Sequence, residues 1–256
     1  MDNFVFSNPT RIIFGKGVES EIGMEAGKVS KRVLLHFGSG SAERSGLLAK
    51  VRESLAKSGV EVIELGGVQP NPRVSLVREG IALCRSARVS FIVAVGGGSV
   101  IDSAKAIAVG VPYAGDVWDF YDWKSVPDRA LGVGVVLTIP ASGSESSNSS
   151  VISNADRELK RGLNSEMIRP VFALMNPELT YTLSPFQTAC GAADIMAHVM
   201  ERYFTNTRDT DLTDRLCEAV LRSVIAQAPV ALAKPSDYAA RAEILWAGSQ
   251  AHNGLL

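Results

Sequence analysis

The chain has 256 residues, of which 46% are hydrophobic, so it can bury a large core and form more than one domain. Its 26 Lys and Arg nearly balance its 27 Asp and Glu, and a formal net charge of -1 argues against a nucleic-acid partner or an anionic membrane. The three cysteines lack C-x-x-C spacing, which favours reduced thiols. With no basic leader at the N-terminus and no long apolar stretch, we expect a cytoplasmic protein without a membrane partner.

The first 183 residues predict an α/β domain. Two short β-type runs within residues 4–14 flank Ser7-Asn8-Pro9-Thr10 and predict a hairpin or paired edge strands. Five short, mostly apolar runs follow, alternating with helical stretches; they cover residues 33–37, 60–65, 91–95, 135–139 and 171–174. This alternation is typical of a Rossmann-like, doubly wound parallel sheet with helices on both faces.

Residues 184–256 predict a second, all-helical domain. Ser184-Pro185-Phe186-Gln187 has the pattern of a capping box with proline at the first helical position, so a helix should start there. Further helical stretches cover about 208–233 and 237–252, and we expect Pro229 and Pro235 to mark breaks.

Gly96-Gly97-Gly98-Ser99 follows a predicted buried strand and opens a helix that carries Asp102. Free N–H groups at such a helix start attract phosphate, and glycines let the backbone approach it. The spacing is not the G-x-G-x-x-G of the common dinucleotide fingerprint, and a plain glycine turn is an ordinary alternative. Asp102 either favours the helix dipole or binds a cofactor group.

Two more loops rich in glycine and hydroxyl groups follow predicted strands. Residues 140–148 read PASGSESSN, and residues 38–41 read GSGS. Open α/β sheets bind ligands at the carboxyl ends of their strands, so three such loops together favour a ligand site over plain turns. The 38–41 loop carries no acidic side chain to repel a 2′-phosphate, which permits NADP.

Asp194 and His198 are four residues apart on the predicted helix after Ser184, so they share one face and suit a single divalent ion. Such a pair alone is more often structural than metal-binding. Of the other two histidines, His36 lies in an apolar run and suits the core. His252 either lines a pocket or packs at the end of the last helix.

In combination, the Gly96 to Asp102 segment, the loop from Pro140 and the Asp194/His198 pair resemble the iron-containing (group III) alcohol dehydrogenases, especially their NADPH-dependent butanol dehydrogenase and aldehyde reductase branch. The resemblance covers essentially the whole chain. It implies that family's fold, which is similar to dehydroquinate synthase. It places the metal ligands at Asp194 and His198. The cofactor-binding positions that it implies are Gly38, Ser39, Ser41, Asn71, Gly97, Gly98, Ser99, Asp102, Thr138, Ser142, Ser144, Lys160, Leu179 and Leu183.

The implied reaction is hydride transfer between NADPH, or NADH as an option, and an aldehyde or primary alcohol such as butanal or butanol. The metal, Fe²⁺ or Zn²⁺, acts as a Lewis acid. A homodimer through the N-terminal β segment is also implied. Family members complete the metal site with two later histidines, so we expect a C-terminally shortened chain that binds metal weakly. His252 is a pocket candidate and a poor substitute ligand.

Two alternatives remain open. A synthase or lyase of the dehydroquinate synthase type would place Lys and Arg around the metal cleft, and residues 186–200 contain neither. The other alternative is a non-catalytic fragment that binds the dinucleotide without turnover.

Overall fold

The computed structural model describes residues 2–38 and 40–256 and contains a six-stranded sheet and a separate hairpin. The strands of the sheet are β1 (Arg11–Phe14), β2 (Arg32–Gly38), β3 (Glu61–Val68), β4 (Phe91–Gly96), β5 (Gly132–Leu137) and β8 (Phe172–Met175), and those of the hairpin are β6 (Ser149–Asn154) and β7 (Leu159–Asn164). The sheet order is β1-β8-β5-β4-β2-β3, and every pairing is parallel. The predicted doubly wound sheet is confirmed.

Helices cover both faces of this sheet. They are α1 (Ile22–Val29), α2 (Ser41–Arg44), α3 (Leu47–Lys57), α4 (Val74–Ser86), α5 (Gly98–Gly110) and α6 (Trp118–Tyr121). Alternate residues of β4 point to opposite faces: Ile92 and Ala94 join one hydrophobic cluster with α4 and α5, and Val93 and Val95 join another with α1 and α3. All six residues of β4 are buried, which explains its continuous apolar sequence.

The N-terminal hairpin prediction is wrong. Residues 2–10 form no strand, and residues 11–14 form β1, which pairs in parallel with β8 at the edge of the sheet. Phe4 and Val5 are 74% and 96% exposed. The single chain offers residues 4–6 no neighbouring strand, so their β-type sequence alone does not order them.

The last part of the described chain is helical: α7 (Pro185–Tyr203), α8 (Asp211–Ala233) and α9 (Tyr238–Gln250). The predicted capping box is confirmed, because Ser184 Oγ accepts from the Gln187 N–H and the Gln187 side chain accepts from the Ser184 N–H. Pro229 lies inside α8 and does not end it, whereas Pro235 follows its end. The division of the chain into domains at residues 183 and 184 stays a prediction.

Helix α8 is long and apolar enough to cross a membrane by length and composition alone. The expectation that no such stretch exists is therefore wrong for α8. One helix of this kind is weak evidence, because core helices of soluble proteins pass the same test. Cys217, Val224 and Ala231 of α8 are buried in a cluster with α7 and α9, while 17% of the apolar stretch as a whole is buried.

Helix α7 lies very close to the loop that follows β5. A Cβ atom at Gly191 would overlap the carbonyl oxygen of Pro140. Only glycine permits this approach without a shift of the backbone, so Gly191 seats the helical part of the chain on the edge of the sheet.

Candidate functional site

The three glycine- and hydroxyl-rich loops meet at one edge of the sheet. They follow β2, β4 and β5, which are adjacent parallel strands, so their carboxyl ends share that edge. The chain runs outward from β2 to β3 on one side and from β4 through β5 to β8 on the other. The loops after β2 and β4 therefore flank a topological switch point, where open α/β sheets bind ligands.

The start of α5 forms a cradle that leaves little room for a side chain at Gly97 or Gly98. Gly97 precedes the first turn, and no side chain in the described part of the chain caps it. A Cβ atom at Gly98 would overlap Ser142 Oγ, and one at Gly97 would lie 3.1 Å from Ile139 Cβ. The N–H groups at this helix start suit a phosphate, so the residues present fit a dinucleotide's diphosphate.

Asp102 lies one turn into α5 and holds the loop after β5. Its carboxylate accepts from Ser144 Oγ at 2.6 Å and from the Val151 N–H at 3.0 Å. Burial raises its pKa, and nearby Lys105 and Lys160 oppose this shift. Both carboxylate oxygens have protein partners, so the contacts of Asp102 in this structure are with the loop itself.

A cleft of about 230 Å³ collects four of the implied cofactor residues: Ser41, Thr138, Leu179 and Leu183. Ile139, which contacts the Gly97 cradle, also lines it, so the cleft continues from the start of α5. The sequence reasoning assigned no ligand-site role to Lys50, Glu178 or Gln187, and all three line the same cleft.

The remaining implied cofactor residues lie around this edge. Lys160 Nζ donates to Asn71 Oδ1 at 2.8 Å, which ties β7 to the loop after β3. Asn71 has a φ of 57°, a left-handed conformation that asparagine tolerates. Gly38 ends β2, and Ser99 lies in the first turn of α5. Ser39 lies outside the described residues.

Asp194 and His198 lie on consecutive turns of α7, with Asp194 Oδ1 3.8 Å from His198 Nε2. Metal bonds of about 2 Å span such a separation, and the side chains are 47% and 24% exposed, so the pair fits one ion as two ligands. No group of three or more His, Cys, Asp or Glu side chains in residues 2–38 and 40–256 is placed to hold a metal.

His252 connects this pair to the loop after β5. Its ring lies edge-on to that of His198, with centroids 4.8 Å apart, and its Cβ lies 2.7 Å from where a Cβ of Gly143 would be. Arg202 donates to His252 Nδ1 at 3.1 Å and to the His198 carbonyl at 2.5 Å. Burial, with the Arg202 charge, lowers the pKa of His252 to about 3, so the ring is neutral.

Sequence reasoning missed Lys105 and Arg202. Lys105 is a charged residue within an otherwise small and apolar helix, three positions after Asp102, and that contrast was the available signal. His36, by contrast, was correctly assigned to the core. Its Nδ1 lies 2.7 Å from the Leu65 carbonyl and its Nε2 lies 2.9 Å from Ser103 Oγ.

Comparison with known proteins matches both parts of the chain to one family. Residues 9–177 match the iron-containing alcohol dehydrogenases, and residues 188–255 match the C-terminal region of the same family. The chain is 45% identical over 256 residues to a probable NADH-dependent butanol dehydrogenase 1 of Bacillus subtilis, and 39% identical over 259 residues to the NADPH-dependent aldehyde reductase YqhD of Escherichia coli. Each alignment covers 100% of this chain and 66% of the relative, so the chain spans slightly less than two thirds of their length.

Solved structures agree. The crystal structure of an NADH-dependent butanol dehydrogenase A from Thermotoga maritima superposes with a TM-score of 0.97 at 38% identity, covering 99% of this chain and 64% of that one. The structure of YqhD from E. coli K-12 gives a TM-score of 0.94 at 39% identity, covering 99% and 65%. By sequence and by fold, the chain belongs to the iron-containing alcohol dehydrogenase family.

Proposed function

We propose that this chain serves a metal-dependent oxidoreductase that transfers hydride between a nicotinamide dinucleotide and a small aldehyde or primary alcohol, such as butanal or butanol. The main support for the proposal is a continuous series of contacts between the cradle at the start of α5 and the Asp194/His198 pair. Gly98 contacts Ser142, the adjacent Gly143 contacts His252, and the His252 ring contacts His198. A dinucleotide in the cradle and an ion on the Asp194/His198 pair would lie at the two ends of this series of contacts.

The chain's own residues bind, orient and exclude water. The backbone N–H groups at the start of α5 hold the diphosphate, while Leu179 and Leu183 shield the nicotinamide side of the cleft. Asp194 and His198 hold Fe²⁺ or Zn²⁺. When bound, the dinucleotide supplies or accepts the hydride, and the metal ion supplies Lewis acidity at the substrate oxygen.

For the cofactor, we propose NADP, with NAD as an option. The 38–41 loop carries no acidic side chain that would exclude a 2′-phosphate. The relatives' names divide, with NADH for the butanol dehydrogenases and NADPH for the aldehyde reductase.

For the substrate, we propose a small uncharged aldehyde or alcohol. Residues 186–200 contain no Lys or Arg, and the nearby Arg202 is engaged with His198 and His252. We further propose a cytoplasmic homodimer in which the exposed residues 4–6 pair between chains. Light scattering tests the dimer, and a monomeric mass contradicts it.

The direct test of function is aldehyde-dependent oxidation of NADPH by the 256-residue chain with Fe²⁺ or Zn²⁺ present. Turnover that Asp194→Ala and His198→Ala abolish supports the oxidoreductase. Cofactor binding without turnover supports the non-catalytic alternative. Failure to bind either dinucleotide contradicts both.

A further inference from the structure

Lys105 is a fully buried lysine whose ammonium group faces the loop after β5. Its side chain leaves the middle of α5 and is 0% exposed. Its Nζ donates to four oxygens of one short segment: Ser144 Oγ at 3.0 Å, the Ser147 carbonyl at 2.9 Å, Ser147 Oγ at 3.2 Å and the Ser149 carbonyl at 2.9 Å. An ammonium has three protons, so each of them is engaged.

The segment that Lys105 holds, residues 144–149, is continuous with the part of the loop that covers the cradle. Two residues before Ser144, Ser142 lies against Gly98 at the start of α5. Asp102 and Lys105 are one helical turn apart, and both bind the Ser144 side chain. Asp102 accepts a hydrogen bond from the Ser144 hydroxyl, and Lys105 donates one to it. The position of Ser142 over the cradle therefore depends on groups buried behind it.

We propose that Lys105 is a positioning residue for dinucleotide binding, which fixes residues 144–149 on α5 and thereby sets Ser142 at the start of that helix. The inference deepens the proposed function and rests on it. Lys105 itself touches neither cradle nor cleft; it acts through the loop.

A buried ammonium is costly, and here it satisfies polar groups that no apolar side chain satisfies. Replacement by methionine would leave the carbonyl oxygens of Ser147 and Ser149 without this donor. Burial lowers the pKa of Lys105 to about 8, while the Asp102 and Glu145 carboxyls oppose that shift. The neighbouring acids thus help to keep the group charged at neutral pH.

A second set of contacts holds the same loop from the other side. Ser146 Oγ lies 3.0 Å from Ser249 Oγ of α9, and Arg169 donates to the Ser146 carbonyl at 2.8 Å. With these contacts intact, loss of the Lys105 ammonium should loosen the loop and not detach it. A folded protein with weakened cofactor binding is the expected phenotype.

The test is Lys105→Met in the full chain, compared with Ile81→Ala. Ile81 packs against Gly110 at the opposite end of α5, so Ile81→Ala destabilises the same helix at a distance from the loop. Well below the unfolding temperature of both variants, we expect the Kd for NADPH to rise at least about tenfold in Lys105→Met and to stay within about twofold in Ile81→Ala. Amide hydrogen exchange of residues 144–151 should accelerate only in Lys105→Met.

Should Lys105→Met fail to fold, Ser147→Ala removes one acceptor and keeps the lysine; we expect a rise in Kd of about two- to fivefold. An unchanged Kd in whichever variant folds, or an equal rise in Ile81→Ala, overturns the inference. Unchanged exchange of the loop also overturns it. If the unmutated chain bound no dinucleotide, the proposed function would fail first, and that result needs no variant.

Discussion

At the scale of single residues, neighbours decide what a residue does. Gly27 and Gly98 are both glycines, but the space around them differs. A Cβ at Gly27 meets ordinary contacts at 3.6 Å, while one at Gly98 overlaps Ser142 Oγ. Both lie in helices, so helix propensity alone favours alanine at each position. The two positions differ in their tertiary contacts, because Ser142 lies against Gly98 at the cradle.

We expect Gly98→Ala to raise the Kd for NADPH about tenfold or more, because the added methyl overlaps Ser142 Oγ and the Ser142 side chain must turn or shift at the helix start. Titration by nicotinamide fluorescence measures the effect. Gly27→Ala is the matched control and should leave the Kd unchanged. Equal affinities for Gly98→Ala and the unmutated chain would show that the cradle does not hold the cofactor.

His36 should make stability depend on pH. Burial lowers its pKa from 6.5 to about 4, so the unfolded chain binds more protons than the folded one between these values. Stability is therefore complete above pH 6.5 and is lost as pH falls towards 4, by roughly 3 kcal/mol. Urea denaturation of the unmutated chain and His36→Gln at pH 7 and pH 4 isolates this contribution. Parallel pH profiles for the two proteins would refute it.

At the scale of elements, α7 combines three tasks along 19 residues. Its first turn carries the capping box, Gly191 seats it on the loop after β5, and Asp194 with His198 forms the metal pair. Gly191 lies about one helical turn before the metal pair. The distance from the pair to the cradle therefore depends on how closely α7 approaches that loop.

We expect Gly191→Ala to lower the free energy of unfolding by about 1–3 kcal/mol, because the added methyl overlaps the Pro140 carbonyl and outweighs the gain in helix propensity. Urea denaturation measures it. The exposed neighbour Cys190 provides the control, since Cys190→Ala should change stability little. A Gly191→Ala protein as stable as the unmutated chain would place α7 farther from the loop than described.

The sequence predicted the elements whose pattern is strong and local. Five strands of the sheet and the start of α7 follow from mostly apolar runs and a capping box. The β6–β7 hairpin was missed because the serine-rich sequence of β6 resembles a loop. The alternation of buried and partly buried residues along β6 becomes visible only in the structure. Pro229 was expected to break a helix, yet packing of flanking Val224 and Ala231 maintains α8 through it.

At the scale of the whole molecule, two glycine contacts link the cofactor edge to the helical part of the chain. Gly143 approaches His252, and Gly191 approaches Pro140. Through motifs and resemblance, the sequence indicated which residues line the cofactor edge and which residues of the helical part form the metal pair. It did not indicate Lys105 or Arg202, whose roles depend on distant loop oxygens and on a ring that only the fold brings near.

Metal affinity depends on all the ligands of a site together. With two ligands among the described residues, we expect Zn²⁺ or Fe²⁺ to bind with a Kd on the order of 10 µM or weaker, and Asp194→Ala to abolish binding. Isothermal titration calorimetry measures both. Tight stoichiometric binding by the unmutated chain would mean that further ligands complete the site.

The most direct measurement of the central claim is equilibrium titration of the purified chain with NADPH and, separately, with NADH. The cradle at α5 and the continuous cleft predict saturable binding of one dinucleotide per chain, weakened by Gly98→Ala and unaffected by Gly27→Ala. Absence of saturable binding to both dinucleotides would contradict the claim that this edge of the sheet is a nicotinamide cofactor site.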